Sequence, residues 1–501
     1  MDDMMPVGAA GGGSRGSLDL DLDAPPSTEG YQAGKLEQRG IQLIPDSDRK
    51  MRPSGLFWMW AGAMWNVEFL VYGALVVSFG LSFWQAVVAI LIGNLFYVVL
   101  GIASLWGPET GTTAFMVSRA PFGRNGNRAP SVFNWITQVG FEVEGLVIIA
   151  YIIETMFSRE GTTLNDAGKV VLVICAVAVQ FIAPFLGHAT ITKVLRYLSY
   201  VFIVVFVIMA ILVIPHAHLT SLKPTGPDSW WVWTTGLVLI VSAGGLGWTE
   251  NAADYSRYLP RNTPKSQTFW AATLGGAIPS ILLELLGAAA YLVSPSVTQA
   301  AAVPAAFASW FFWPFMILAL PQLFAINSID MYSSGVTLQA IGLPLKRWGC
   351  VLVDTVISGA VTVLIVLKGH FYSDLEGFLD YIVVWLGPWF GILLVDNLLR
   401  RGRYDLVSLA ERKGGLYWRN GGVNWKAIAS LALGMFGAMM WIDALYYNPS
   451  YTGPLSNWTH GADFSWIFGM IVAGVVYWIL SFQSVAKESQ ASSDELKAPV
   501  A

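Results

Sequence analysis

Residues 60–68 read Trp60-Ala-Gly-Ala-Met-Trp-Asn-Val-Glu68, and residues 242–250 read Ser242-Ala-Gly-Gly-Leu-Gly-Trp-Thr-Glu250. Each lies inside a stretch apolar enough to cross a bilayer. Yet each carries glycine and polar residues where a lipid-facing helix carries Leu and Val. Glycine costs a helix about 1 kcal/mol relative to Ala, so such clusters favour an unwound or closely packed segment. Unwound backbone at membrane depth survives only where it is buried in protein or lines a cavity. The two segments lie five spans apart, at matching first positions of two five-helix sets. Interrupted helices in corresponding positions of two halves point to an inverted-repeat transporter and its binding site. Close helix packing through small residues is the competing reading.

The composition agrees with lipid as the main solvent. Of 501 residues, 55% are hydrophobic and 12% charged, and the mean hydropathy is +0.55. A soluble domain carries about 25% charged residues. The net charge of −4 gives no reason to expect nucleic acid as a partner. Cys175 and Cys350 lie in apolar runs and read as small buried hydrophobes.

Runs of about 20 apolar residues are needed to cross a bilayer core. They occur near 57–80, 84–106, 131–157, 169–187, 194–214 and 231–251, then near 268–294, 309–332, 348–368, 378–400, 425–447 and 464–483. The expected fold is an all-α polytopic membrane protein of about twelve transmembrane helices. Spans 1–5 (about 55–215) and 6–10 (about 230–403) form two inverted repeats, followed by two extra helices (about 425–483). Residues 1–50 and 484–501, with Gly11-Gly12-Gly13 and the acidic run Asp19 to Asp23, read as disordered cytoplasmic tails. With both ends inside, only Arg159, Lys169, Lys223 and Lys368, 4 of the 29 Lys and Arg, fall outside. Cytoplasmic loops are expected to hold that excess. A plasma membrane or cell inner membrane is the expected location, and Trp230, Trp231, Trp233, Tyr446 and Tyr447 suit an interfacial belt.

Three groups of residues carry a family resemblance. Ser118-Arg-Ala-Pro-Phe-Gly123 with Asn127-Arg-Ala-Pro130 is one. Gly247-Trp248 with Ala252-Ala-Asp-Tyr-Ser-Arg-Tyr-Leu-Pro260 is the most specific. Asn327-Ser-Ile-Asp-Met-Tyr-Ser-Ser334, with Gly387-Pro388 and Asp396, completes the set. Over roughly residues 50–485 the chain resembles the nucleobase–cation symporter-1 family, in its purine–cytosine permease branch. The resemblance implies symport of a nucleobase-like ring with H+ or Na+. It implies a ring gripped between third- and sixth-helix aromatics, here Phe141 and Trp248, and read by Asn327 or Asp330 of the eighth helix. Gly62 and Trp65 of the first helix are taken as further binding positions. Gly145 stands where many cytosine carriers have an amide, and Met64 where Asn is common. Glu68, Glu142 and Glu144 are carboxylates where apolar or small residues are expected, which suits a more polar or partly cationic ring. Pyridoxine, thiamine and allantoin-type ligands stay open.

Intramembrane carboxylates are expensive, about 2.5–3.5 kcal/mol on insertion scales, so each is a functional candidate. Glu68, Glu144, Glu250 and Asp330 are the candidate coupling groups. Glu142, two residues from Glu144, points to another face. Each also has a structural reading, as a bond to a neighbouring helix. The eighth-helix run Pro321-Gln-Leu-Phe-Ala-Ile326 lacks Ser and Thr, which favours protons over a hydroxyl-based sodium site. The histidines His188, His216, His218, His370 and His460 are scattered, and residues 123–126 lack the Gly-Lys-Ser/Thr of a phosphate loop. No cofactor or metal is expected. An intramembrane enzyme, a channel and a non-transporting sensor are the competing classes.

Overall fold

A computed structural model of the chain describes residues 33–37, 39–220, 229–369, 371–444 and 451–495. The expected tails before 33 and after 495, Lys223, His370, Tyr446 and Tyr447 lie outside these residues. Among the described residues, nine helices are long and apolar enough to cross a membrane. A tenth span is a bent pair, Pro53–Met64 and Val67–Ser78, with 57° between its halves. At the expected sixth and eleventh spans stand two shorter apolar helices, Ser229–Ala243 of 15 residues and Trp425–Trp441 of 17. Length alone therefore supports nine or ten spans, and the remaining two are apolar helices below the usual bilayer length.

The packing has the symmetry expected of two repeats. The first span packs on the helices His188–Val213 (fifth) and Lys265–Val293 (seventh). Its counterpart, the sixth, packs on the helices Phe371–Arg400 (tenth) and Phe83–Asn94 (second). Arg128–Arg159 (third) packs on Phe312–Ile341 (eighth), and Asp166–Leu186 (fourth) on Arg347–Lys368 (ninth). Exchanging each span with the one five later maps this set onto itself. Five is odd, so counterpart helices run in opposite directions and the repeats are inverted. Spans one, two, six and seven form one packed group, and three, four, eight and nine another. The eleventh helix and the last, Ser465–Glu495, pack on the tenth.

The first span breaks after Gly62 rather than at it. Trp65 leaves helical geometry, Asn66 is extended (φ −130°, ψ 146°), and its side chain accepts from the Glu68 backbone N–H at 3.2 Å. That is an N-cap, which satisfies a donor the new helix would otherwise leave open. Gly62 serves packing: a Cβ there would run into the Leu195 carbonyl of the fifth span. In the sixth span glycine does mark the break. Residues 244–251 form a turn before the short helix Ala252–Ser256. A Cβ on Gly245 would strike the Phe96–Tyr97 peptide, and one on Gly247 the Ser242 carbonyl.

Three expectations are corrected. Residues 39–50 do not form a loose tail: Ile41 and Ile44 are buried, and the Met51 backbone N–H donates to the Tyr258 carbonyl at 3.0 Å. Apolar residues are sparse in that stretch, so composition hid it. At the other end the last helix runs to Glu495 rather than stopping near 483, because Glu488 pairs with Arg400 and Arg419. Cys350 is buried, but Cys175 is exposed on the fourth span.

Candidate functional site

The two broken spans belong to one helix group, and the third and eighth spans to the other. Between them lies a small, tight cavity, lined by Glu68, Phe69 and Tyr72 from the first span and Phe141 from the third. Ala243 and Trp248 line it from the sixth, and Ile326, Asn327 and Asp330 from the eighth. Phe141 and Trp248 lie parallel, 15° apart in plane and 6.2 Å between centroids. Trp60 meets Trp248 edge-on at 5.9 Å, and Phe378 meets Phe141 edge-on at 5.2 Å. Trp248 donates its indole N–H to the Ala243 carbonyl at 3.2 Å, which fixes the ring over the unwound segment. A flat ring between two others needs about 7 Å, two van der Waals layers of about 3.5 Å. The rings must therefore part by about 1 Å or more to admit one.

The carboxyl groups are each tied by amides or a hydroxyl. Asn66 donates to Glu68 at 2.9 Å, and Tyr72 donates to Glu144 at 2.7 Å. Gln138 donates to both Glu250 (3.2 Å) and Asn251 (2.9 Å), and Asn251 donates to Asp330 (3.3 Å). The Tyr72–Glu144, Gln138–Glu250 and Asn251–Asp330 bonds all cross from one helix group to the other. Glu250 is not among the residues that line the cavity.

Several named positions do other work. Gly145 does not offer a ligand contact: the space its side chain would fill is taken by the amide of Asn327. Asn327 in turn donates to the Glu142 carbonyl and to Gln180, both at 3.1 Å. Gly62 is a helix-packing position, and Trp65 turns toward Phe206 of the fifth span at 5.3 Å, into a separate apolar cavity. Neither lines the cavity between the two aromatic rings. Glu142 faces away from it, beside Asp354 of the ninth span, whose carboxyl also accepts from Trp135 at 2.9 Å.

Sequence reading missed Tyr72, Gln138, Gln180 and Asn251. Their only signal was a polar side chain in an apolar run. It also missed Glu284, fully buried in the seventh span, which accepts from Asn94 of the second.

This architecture, two inverted repeats with a cavity between broken and unbroken helices, is that of a secondary membrane transporter. The chain belongs to the family of permeases for cytosine/purines, uracil, thiamine and allantoin, whose model matches residues 43–469. It is a permease, not an enzyme. It is 29% identical over 465 residues to Bacillus subtilis YxlA, provisionally described as a purine-cytosine permease, covering 89% of this chain and 96% of that one. It is 25% identical over 472 residues to a purine-cytosine permease of Emericella nidulans, covering 88% and 87%. The fold is similar to that of Mhp1, a nucleobase-cation-symport-1 family transporter solved in a closed conformation with bromovinylhydantoin bound. There the TM-score is 0.71 at 19% identity, over 94% of this chain and 99% of that one.

Proposed function

We propose that this permease imports a nucleobase-like heterocycle by symport with protons, through alternating access of a site between Phe141 and Trp248. The observation that carries this reading is the parallel pair of rings beside intramembrane carboxyls, at the junction of two helix groups. Offset stacking on an aromatic face contributes about 0.5–1.5 kcal/mol per pair beyond area burial. The aromatic faces hold a ring of many kinds, so selectivity falls to polar groups on its edge.

Protons rather than sodium are supported by the eighth span. Gln322 donates to the Ala63 carbonyl at 3.3 Å, so an amide already occupies a first-span carbonyl beside the break. The Glu144 carboxyl, which crosses between the groups through Tyr72, can be neutralised by a proton. The Lys- and Arg-rich loops support a plasma or inner membrane protein with both ends on the cytoplasmic side. A vitamin-like ring is the second reading, favoured by a Saccharomyces cerevisiae vitamin B6 transporter that is 24% identical over 395 residues.

The test is uptake of labelled cytosine, adenine, hypoxanthine, uracil and pyridoxine into proteoliposomes, under a pH gradient, a Na+ gradient or neither. Accumulation of a nucleobase driven by the pH gradient is expected. Accumulation driven by Na+ alone refutes the proton assignment, and pyridoxine moving alone favours the second reading.

A further inference from the structure

Every side-chain hydrogen-bond donor on the cavity wall already has a partner, and the side-chain groups that remain on the wall are acceptors. The indole N–H of Trp248 is spent on the Ala243 carbonyl, and the hydroxyl of Tyr72 on Glu144. The amide N–H groups of Asn327 go to the Glu142 carbonyl and to Gln180. Left to face a ligand are the carboxyls of Glu68 and Asp330 and the amide oxygen of Asn327. Carboxylates only accept, and an amide oxygen likewise.

The charge distribution runs the same way. Glu68, Glu144 and Asp330 lie within electrostatic reach of one another. Glu68 occupies the first turn of the second half-helix, where the helix dipole favours an anion, and Asn66 donates to it. Glu144 keeps one carboxyl oxygen buried and without a hydrogen-bond partner. Three clustered carboxyls can take up more than one positive charge, so a proton on one does not exhaust the site. The face of an aromatic ring also attracts a cation.

We infer that the cavity between Phe141 and Trp248 selects a cationic amino-heterocycle, a flat ring whose edge carries N–H donors and a positive charge. It disfavours the keto ring of the same shape. Such a keto ring brings carbonyl oxygens against Glu68, Asp330 and the Asn327 oxygen, and leaves acceptors facing acceptors. This inference rests on the heterocycle reading of the same site and narrows it.

The test compares isosteres. 4-Aminopyridine is a cation at neutral pH, and 4-pyridone is its neutral counterpart, with a carbonyl in place of the amino group. Binding of each to the purified full chain in detergent is read from the shift in Tm, with adenine and hypoxanthine as larger rings. The expected result is half-maximal stabilisation by 4-aminopyridine at a concentration at least tenfold below that for 4-pyridone. In Glu68→Gln and Asp330→Asn that ratio falls at least threefold. A ratio of two ligands on one preparation is unaffected by how much of a variant is folded. If 4-pyridone binds as well as or better than 4-aminopyridine, the inference is overturned while the heterocycle reading stands. If none of the four rings binds and none accumulates in proteoliposomes, the heterocycle reading fails and the inference falls with it.

Discussion

The hydroxyl of Tyr72 donates to Glu144 across 2.7 Å, and this bond ties the second half of the first span to the third span. It therefore joins the two helix groups that must move against each other if the cavity is to open alternately to the two sides. Among the described residues Tyr72 is the one hydrogen-bond partner of Glu144, whose other oxygen is buried without one.

A proton on Glu144 changes that junction, so the first prediction concerns coupling. Glu144→Gln should abolish accumulation driven by a pH gradient while retaining exchange of labelled for unlabelled substrate across the membrane. Tyr72→Phe removes the donor and should reduce driven accumulation several-fold. Its exchange should lose its pH dependence. Loss of exchange and driven uptake together in both variants, with normal Tm, would place the pair in ligand binding instead.

The aromatic pair makes a separate prediction. Trp248→Ala removes one stacking face together with the edge contact from Trp60. Lost stacking of about 0.5–1.5 kcal/mol adds to lost apolar contact, and about 1.4 kcal/mol is tenfold in affinity. Substrate half-saturation should rise at least about tenfold. Phe141→Leu should raise it less, since Leu keeps apolar volume but not the face. Equal affinity in wild type and Trp248→Ala, measured by competition, sinks the assignment.

Gly145 and Asn327 should be coupled. A methyl on Gly145 enters the space of the Asn327 amide, and overpacking of this kind costs about 1–3 kcal/mol. Gly145→Ala should lower Tm by several degrees. Adding Asn327→Ala should recover much of that loss while still impairing transport, because the cavity loses a polar edge. Additive losses in the double variant would mean that the two positions do not touch.

The outline of this fold was legible because its signals are local. Gly245 and Gly247 announce the sixth-span break, and Asn66 is a cap residue two positions before an acid. Clusters of apolar residues mark the spans, and the odd offset of the two breaks gives the inversion. What stayed hidden depends on contacts across the chain. Nothing near Gly62 reveals Leu195 as its partner, so a packing glycine read as a binding one. Gly145 read as a missing amide, whereas Asn327 supplies that amide from another helix. Gln138 and Asn251 are unremarkable alone and become a bridge only when the third and sixth spans meet. Residues 39–50 looked like tail because only Ile41, Leu43 and Ile44 carry branched aliphatic side chains there, too few for composition to signal that Ile41 and Ile44 are buried.

That N-terminal stretch makes a prediction of its own. The Glu37 carboxyl accepts from the Tyr258 and Tyr332 hydroxyls and from the His188 backbone N–H at 2.8 Å. Arg347 grips the Glu37 carbonyl and the carbonyls of Pro184 and Phe185. Burial opposes ionisation of Glu37, but the guanidiniums of Arg347 and Arg257 outweigh it and hold the carboxyl below its ordinary range. A carboxyl depressed on folding contributes stability above its unfolded value and loses it as pH falls through the folded one. Glu37→Gln should therefore lower Tm at neutral pH, and the gap from wild type should close as pH falls below the ordinary carboxyl range. A gap that is constant with pH shows that Glu37 acts through shape rather than charge.

The last prediction separates a structural acid from the coupling ones. Glu284 is fully buried and accepts from the Asn94 amide. Glu284 Oε1 and Asn94 Oδ1 are both buried without a hydrogen-bond partner. One proton on that carboxyl oxygen supplies the donor that the amide oxygen lacks, which closes a two-bond acid–amide pair. Both residues belong to spans two and seven, within one helix group, so the pair is not broken when the groups move. Glu284→Gln keeps both an amide donor and an acceptor at that place, and should retain pH-driven accumulation with a Tm change of a few degrees at most. Glu284→Leu strands the Asn94 amide, at a cost of about 1–3 kcal/mol, and should lower Tm far more. If Glu284→Gln instead exchanges substrate normally but no longer accumulates it under a pH gradient, the transported proton resides on Glu284 and not on Glu144.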